Sequence, residues 1–159
     1  MNGYLIYLPL APYLRDWFIN RHGGEYPVRL NRSSEESQLL RSLTTLPPED
    51  YVPTPAPEGH TAVVIPSYAG RDPRVYNHVG PKGISSLVQT ITANFDFELQ
   101  VFLRKNLKPR IRKDELINAW MELKHIEPTE TNWCAIVKRY DRLRHNLNVE
   151  EYRRRKKSK

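Results

Sequence analysis

The chain has 159 residues, of which 39% are hydrophobic and 27% charged, and its formal net charge at pH 7 is +7. This composition is typical of one globular domain, or of a compact domain with an appended binding module, and it excludes a mainly disordered chain. One cysteine, Cys134, excludes an internal disulfide and any multi-cysteine metal site. The apolar stretch at 4–14 is broken by two prolines and ends in charged residues, so we expect no signal peptide, no membrane span and a cytoplasmic location.

The positive charge is concentrated at the carboxyl end. Residues 138–159 contain ten basic and three acidic residues, an excess of seven that equals the net charge of the whole chain. The remaining residues carry 15 basic and 15 acidic groups. A neutral body with a basic end indicates a surface that binds a polyanion.

The first part of the chain alternates between strand and helix patterns. Apolar runs at 4–8 and 61–65, each followed by a proline, predict buried strands, and 26–30 predicts a short extended piece. Apolar residues at helical spacing predict a first helix that begins near Pro12, and this helix is expected to stop at the glycine pair 23–24. This alternation predicts an α+β body.

A second helix is predicted to begin at Ser33. Its hydroxyl would accept a hydrogen bond from the backbone of Glu36, whose carboxylate would reach back to the Ser33 N–H. The helix is expected to stop at the proline pair 47–48. Residues 47–60 contain five prolines and predict an extended connector, with a proline-rich ligand for a partner's aromatic groove as the alternative.

The clearest helix pattern covers 84–105. Its apolar residues follow a three-four spacing: Ile84, Leu87, Val88, Ile91, Phe95, Leu99 and Phe102. Such a stripe is typical of a helix facing the core, and the alternative is a seam through which a homo-oligomer forms. We therefore divide the chain into a body at 1–105 and a helical module at 106–159.

Two amphipathic helices are predicted in this module. The first begins near Asp114, where acidic side chains favour a helix start, and ends near Ile126. The turn at 127–131 contains a helix-blocking proline, and the second helix is predicted over 132–147. A helix of 16 residues is about 24 Å long, enough to lie in a major groove of DNA.

Basic side chains cover much of the second helix and the residues after it. Such side chains contact phosphates, and guanidinium groups can also bind guanine edges. The residues predicted to bind nucleic acid are Lys138, Arg139, Arg142, Arg144 and His145 on the helix, and Arg153, Arg154, Arg155, Lys156 and Lys157 in an arm that contacts the backbone.

Residues 112–147 resemble a known kind of DNA-binding module. A helix, a short turn and a helix that starts with Trp133 and continues Ile-Val-Lys-Arg-Tyr at 136–140 is similar to helix-turn-helix modules and, distantly, to the last helix of Myb-type domains. The turn lacks the glycine of the bacterial motif, and the spaced tryptophans of Myb repeats are absent. The resemblance implies a small DNA-binding protein of the phage or mobile-element type.

The sequence gives no motif for an enzyme, a metal or a cofactor, so none of these is predicted. The five histidines lack ligand spacing, and the carboxylates of Asp96 and Glu98 would point in different directions on a helix. The start of the helix at 80–83 is a candidate anion site, although it is not a phosphate-binding loop of the Walker type.

The predicted function is therefore that of a DNA-binding protein, a transcription regulator or accessory factor of a phage or mobile element. Duplex DNA is favoured over RNA because the aromatic residues of the second helix occupy core positions, whereas single-strand binders need exposed stacking surfaces. The alternative is a non-enzymatic interaction or structural protein whose basic end binds an acidic partner or RNA.

Overall fold

A computed structural model describes residues 3–158. The chain divides into two compact units, Met1–Ala93 and Asn94–Lys159. The boundary lies inside a long helix, whereas the sequence placed it after residue 105. The fold class is α+β, as predicted. Within the described residues no helix is long and apolar enough to cross a membrane.

The strands and helices follow the predicted order along the chain. Their bounds are β1 Leu5–Leu8, α1 Pro12–Arg21, β2 Val28–Arg29, α2 Glu35–Leu43, β3 Thr61–Val64, α3 Pro81–Asn106, α4 Lys113–Leu123 and α5 Glu130–Lys157.

The sheet of the first unit has β3 at its centre. β1 pairs with it in the antiparallel direction and β2 in the parallel direction, so that Leu5 and Arg29 both lie opposite Val64. All four residues of β3 are buried, which explains their continuous run of β-branched and apolar side chains. Because of this pairing, β2 and β3 finish at the same end of the sheet at which β1 begins.

The core of the first unit is built from large apolar side chains of the sheet and its helices. α1 contributes Trp17 and Phe18, which are 1% and 0% exposed. The buried set also includes Leu8, Leu14, Val28, Leu40, Val63, Leu87 and Ile91. The stripe on the first half of α3 is therefore used in the core.

A buried polar cluster joins α1 to α2. Glu36 is fully buried, and its Oε1 accepts a hydrogen bond from Nε of Arg21 at 3.1 Å. Nε2 of His22 lies 4.0 Å from Oε2 of Glu36, while Nδ1 accepts a hydrogen bond from the Asn31 N–H at 3.1 Å. Burial lowers the pKa of His22; the Glu36 carboxylate opposes this shift and Arg21 adds to it.

The helix start predicted for α2 is wrong by one residue. The cap is Ser34, whose Oγ accepts a hydrogen bond from the Ser37 N–H at 3.2 Å, and not Ser33. Glu36 does not reach back to the helix start, because its carboxylate is turned into the core toward Arg21. A tertiary ion pair has replaced the local bond that the sequence predicted.

The second unit contains the end of α3, together with α4 and α5. The Trp120 ring lies between two rings of α3, with centroid distances of 5.9 Å to Phe95 and 5.3 Å to Phe102. The other buried side chains are Leu99, Leu103, Leu116, Ile117, Met121, Ile126, Ile136 and Tyr140. The apolar faces predicted for the two C-terminal helices thus form the core of this unit.

Candidate nucleic-acid interface

The helix that carries most of the predicted binding residues is longer than the sequence indicated. α5 has 28 residues, which corresponds to about 42 Å. It begins where Oγ1 of Thr129 accepts a hydrogen bond from the Asn132 N–H at 3.1 Å. The prediction of a helix over 132–147 followed by a separate arm is wrong, because α5 continues to Lys157.

The composition of the carboxyl end explains this continuation. Residues 148–157 contain neither proline nor glycine and are rich in Glu, Arg and Lys, which are strong helix formers. Glu151 pairs with Arg155 one turn later, and Glu150 pairs with Arg104 of α3 at 3.1 Å. Cations in the last turn also complement the helix macrodipole.

The apolar side of α5 does not run its whole length. Asn132, Ile136 and Tyr140 are buried, Leu143 and Leu147 are half-buried, and every residue from 150 to 158 is exposed. The end of the helix therefore has no side that faces the core of its unit. Apart from the pair between Glu150 and Arg104, the side chains of this helix end are open to a partner.

Five of the predicted residues lie together on one side of α5, which we call the basic face. At about 100° per residue, they fall within a sector of about 80° opposite Ile136 and extend over about 27 Å. All are exposed, and within residues 3–158 none of their side chains has a hydrogen bond or ion pair. The members of the basic face are Lys138, Arg142, His145, Arg153 and Lys156.

The acidic residues of α5 lie outside this sector. Glu130 lies in the first turn, about two turns before the basic face begins. The other three are paired: Asp141 with Lys113 of α4 at 2.6 Å, Glu150 with Arg104, and Glu151 with Arg155. These carboxylates are compensated by cations that do not belong to the basic face. The positive charge of the basic face is therefore not neutralised by its own helix.

The other predicted residues are placed differently. Nη1 of Arg139 lies 2.8 Å from both carboxylate oxygens of Asp96, so this guanidinium fixes α5 against α3. Arg144 donates a hydrogen bond to the Tyr140 hydroxyl at 3.2 Å, and Arg155 is paired with Glu151. Two further cations are exposed on other sides of the helix: Arg154 and Lys157.

The sequence reading missed one residue beside the basic face. Tyr152 is 66% exposed, and its position on α5 places it at the border of the sector. The predicted helix ended at residue 147, and helical periodicity continued to residue 157 places Tyr152 beside the cations. Its ring and hydroxyl offer stacking and hydrogen bonding beside the cations.

Helix α4 packs on α5. Lys113, at the start of α4, pairs with Asp141 and lies 5.4 Å from the centre of the Tyr140 ring, far along α5. The resemblance of residues 112–147 to helix-turn-helix modules stays a prediction.

The carboxylates considered as catalytic or metal-binding candidates have structural partners. Asp96 binds Arg139, and Glu98 pairs with Lys124 at 3.2 Å. Among the described residues, no group of three or more His, Cys, Asp or Glu side chains is arranged to hold a metal ion.

Comparison of the chain with protein-family models, with curated proteins and with solved structures finds no match.

Proposed function

We propose that this protein is a cytoplasmic DNA-binding protein and that α5 binds duplex DNA through its basic face. One observation carries the proposal: exposed cations without partners, Arg142 and Arg153 among them, follow a single side of a helix over about 27 Å. Each would otherwise repel its neighbours, and a rod of phosphates supplies the compensating charge.

The dimensions of α5 suit a duplex. An α-helix with its side chains is about 10–12 Å across, and the major groove of B-DNA is about 12 Å wide. The exposed residues 150–158 can enter the groove without leaving a core. Continuous basic helices that lie in the major groove are an established docking mode. In this arrangement the cations of the basic face contact phosphates along the groove.

Duplex DNA is favoured over RNA by the shape of the grooves and by the aromatic residues of α5. Side chains cannot read the deep, narrow major groove of A-form RNA. Tyr140 is buried and Trp133 is half-buried, which leaves Tyr152 as the exposed ring of this helix. The cellular role that fits best is a transcription regulator or accessory factor of a phage or mobile element.

The test is a titration of a fluorescent random duplex at several salt concentrations. With about five phosphate contacts, the logarithm of the association constant falls with the logarithm of salt at a slope of about −4 to −5. A slope near zero contradicts the proposal. Stronger competition by structured RNA or by an acidic polypeptide than by unlabelled duplex assigns the basic face to one of those partners instead.

A matched pair of double variants separates the basic face from general charge. Arg142→Gln with Arg153→Gln is expected to make the slope shallower by about two, because two phosphate contacts are lost. Lys108→Gln with Arg110→Gln removes the same charge from exposed residues outside α5 whose side chains have no partner within residues 3–158. Equal effects of the two double variants contradict a specific role of α5.

A further inference from the structure

A cleft of about 640 Å³ opens in the first unit, at the edge of the sheet where β2 and β3 end and β1 begins. Its floor is fixed by main-chain pairing, including a hydrogen bond of 2.8 Å from the Ile65 N–H to the Tyr4 carbonyl. The volume is in the range of about 300–1,000 Å³ found for small-molecule sites. In parallel sheets the carboxyl ends of strands are the usual place for such sites.

The charged residues that line the cleft are all arginines. Arg29 follows Val28 in β2, Arg32 lies in the segment before α2, and Arg74 comes from the segment after β3. The side chains of Arg29 and Arg32 are exposed and have no hydrogen bond or ion pair within the described residues. Three separate parts of the chain thus bring guanidinium groups to one cavity.

The positive charge of the third arginine, Arg74, is already neutralised by a neighbouring carboxylate. Arg74 donates to both carboxylate oxygens of Asp72, with Nη2 at 2.7 Å from Oδ2, and these bonds lower the pKa of Asp72 below its ordinary value. Asp72 therefore stays ionised and cancels the charge of Arg74. The cleft keeps two uncompensated positive charges, those of Arg29 and Arg32.

The remaining lining is mixed. The hydroxyl groups of Tyr4 and Ser67 add hydrogen-bonding capacity, and Tyr4 is 45% exposed. The apolar part of the wall comprises Leu30, Val64, Ile65, Pro66 and Pro73. A ligand that matches these walls has an anionic head and an apolar or aromatic body.

We propose that this cleft binds a small phosphate monoester that carries an apolar or aromatic group. A phosphate monoester has about −1.5 to −2 charges at pH 7, which matches two uncompensated guanidinium groups, whereas a carboxylate supplies one. Planar guanidinium groups also bind phosphate oxygens in pairs. This site goes beyond DNA binding by α5 and does not depend on it.

The proposal is tested by NMR titration of the full chain with phenyl phosphate, benzoate and phenol. Phenyl phosphate is expected to saturate one site, to shift amides at 29–32 and 64–67, and to bind about tenfold more tightly than benzoate, since it makes an additional charge-assisted hydrogen bond. Benzoate binding as tightly as phenyl phosphate, or shifts that do not saturate or lie outside the cleft, would overturn it.

Matched variants assign the effect to the two arginines. Arg29→Gln and Arg32→Gln are each expected to weaken phenyl phosphate about tenfold. Arg110→Gln, another exposed arginine with no partner within residues 3–158, is expected to leave the affinity unchanged. An equal loss in Arg110→Gln would assign binding to net charge and refute the site. Duplex affinity is measured in parallel, so that failure of this cleft and failure of α5 as the DNA-binding helix remain distinguishable.

Discussion

Arg139 and Arg142 lie within one turn of α5, yet their surroundings differ. Arg139 is about 60° from the apolar line through Ile136, and its side chain is 22% exposed beside Asp96. Arg142 is about 120° from that line, exposed, and without a partner in the described part of the chain. Both residues are arginines, so the angular position of each on α5 decides whether its side chain has a structural or a binding role.

This difference predicts opposite effects of the same substitution. Arg139→Gln is expected to lower the free energy of unfolding by about 1–2 kcal/mol, because a charged hydrogen-bonding partner of Asp96 is lost, and to leave the duplex affinity of the folded protein nearly unchanged. Arg142→Gln is expected to weaken duplex binding and to keep the stability. Urea unfolding and fluorescence anisotropy measure the two quantities. Equal losses of affinity in both variants would contradict the assignment.

The buried His22 predicts a dependence of stability on pH. Its pKa in the folded protein is below the ordinary value of 6.5, so between these two values the unfolded chain binds more protons than the folded one. The free energy of unfolding should therefore fall as the pH drops through 6.5, by at most about 1.4 kcal/mol per pH unit. Urea unfolding between pH 7.5 and 5.5, followed by indole fluorescence, measures this slope.

The control for this prediction is His22→Asn. Its amide oxygen can replace Nδ1 as acceptor for the Asn31 N–H, while the titrating ring is removed. The variant is expected to be less stable at every pH, because a packed ring is lost, but to have a flatter profile in this window. A slope as steep as that of the unmodified chain would show that another group is responsible.

At the scale of elements, α5 has two parts with different support. Its first half is held by Ile136, Tyr140 and the pairs with α3 and α4. The exposed end at 150–158 depends on helix propensity, on the macrodipole, on the pair between Glu151 and Arg155 and on the exposed pair between Glu150 and Arg104 of α3. These contributions are small, so binding to DNA is expected to stabilise this end of the helix.

A proline in this region tests whether the continuous helix is needed for binding. Asn148→Pro is expected to interrupt α5, because proline in a helix interior costs about 3 kcal/mol, and to weaken duplex binding. Asn148→Ala keeps the helix and serves as the matched control, since Asn148 is exposed and has no partner within residues 3–158. Circular dichroism and anisotropy measure helicity and affinity. An unchanged affinity in Asn148→Pro would show that the end of the chain binds as an extended arm.

At the scale of the whole molecule, the two units differ in where their uncompensated positive charge lies. The excess of seven positive charges lies at 138–159, and the basic face of α5 is in this range. The first unit has its own pair of uncompensated arginines in the cleft at the end of the sheet. The apolar stripe of α3, considered as an oligomer seam, is buried at Leu87, Ile91, Phe95 and Leu99, so these side chains serve the core.

The sequence alone predicted most of the elements and the concentration of positive charge. The strands at 4–8 and 61–65 and the helices at 84–105 and 132–147 follow from period, proline positions and caps, which act between residues close in the chain. It also predicted that Ile136 and Tyr140 would face the core, because helical periodicity fixes the apolar side. The same rule, continued past residue 147, would have found the full length of α5 and the position of Tyr152.

Only the tertiary structure decided which charges are compensated. Arg139 and Asp96 are 43 residues apart, and Arg21 and Glu36 are 15 apart, so no local rule pairs them. The cleft likewise requires the pairing of β2 with β3, which brings Arg29 near residues more than 30 positions later in the chain. Periodicity states which side of an element is apolar, but packing between distant segments determines which charged side chains remain available to a ligand.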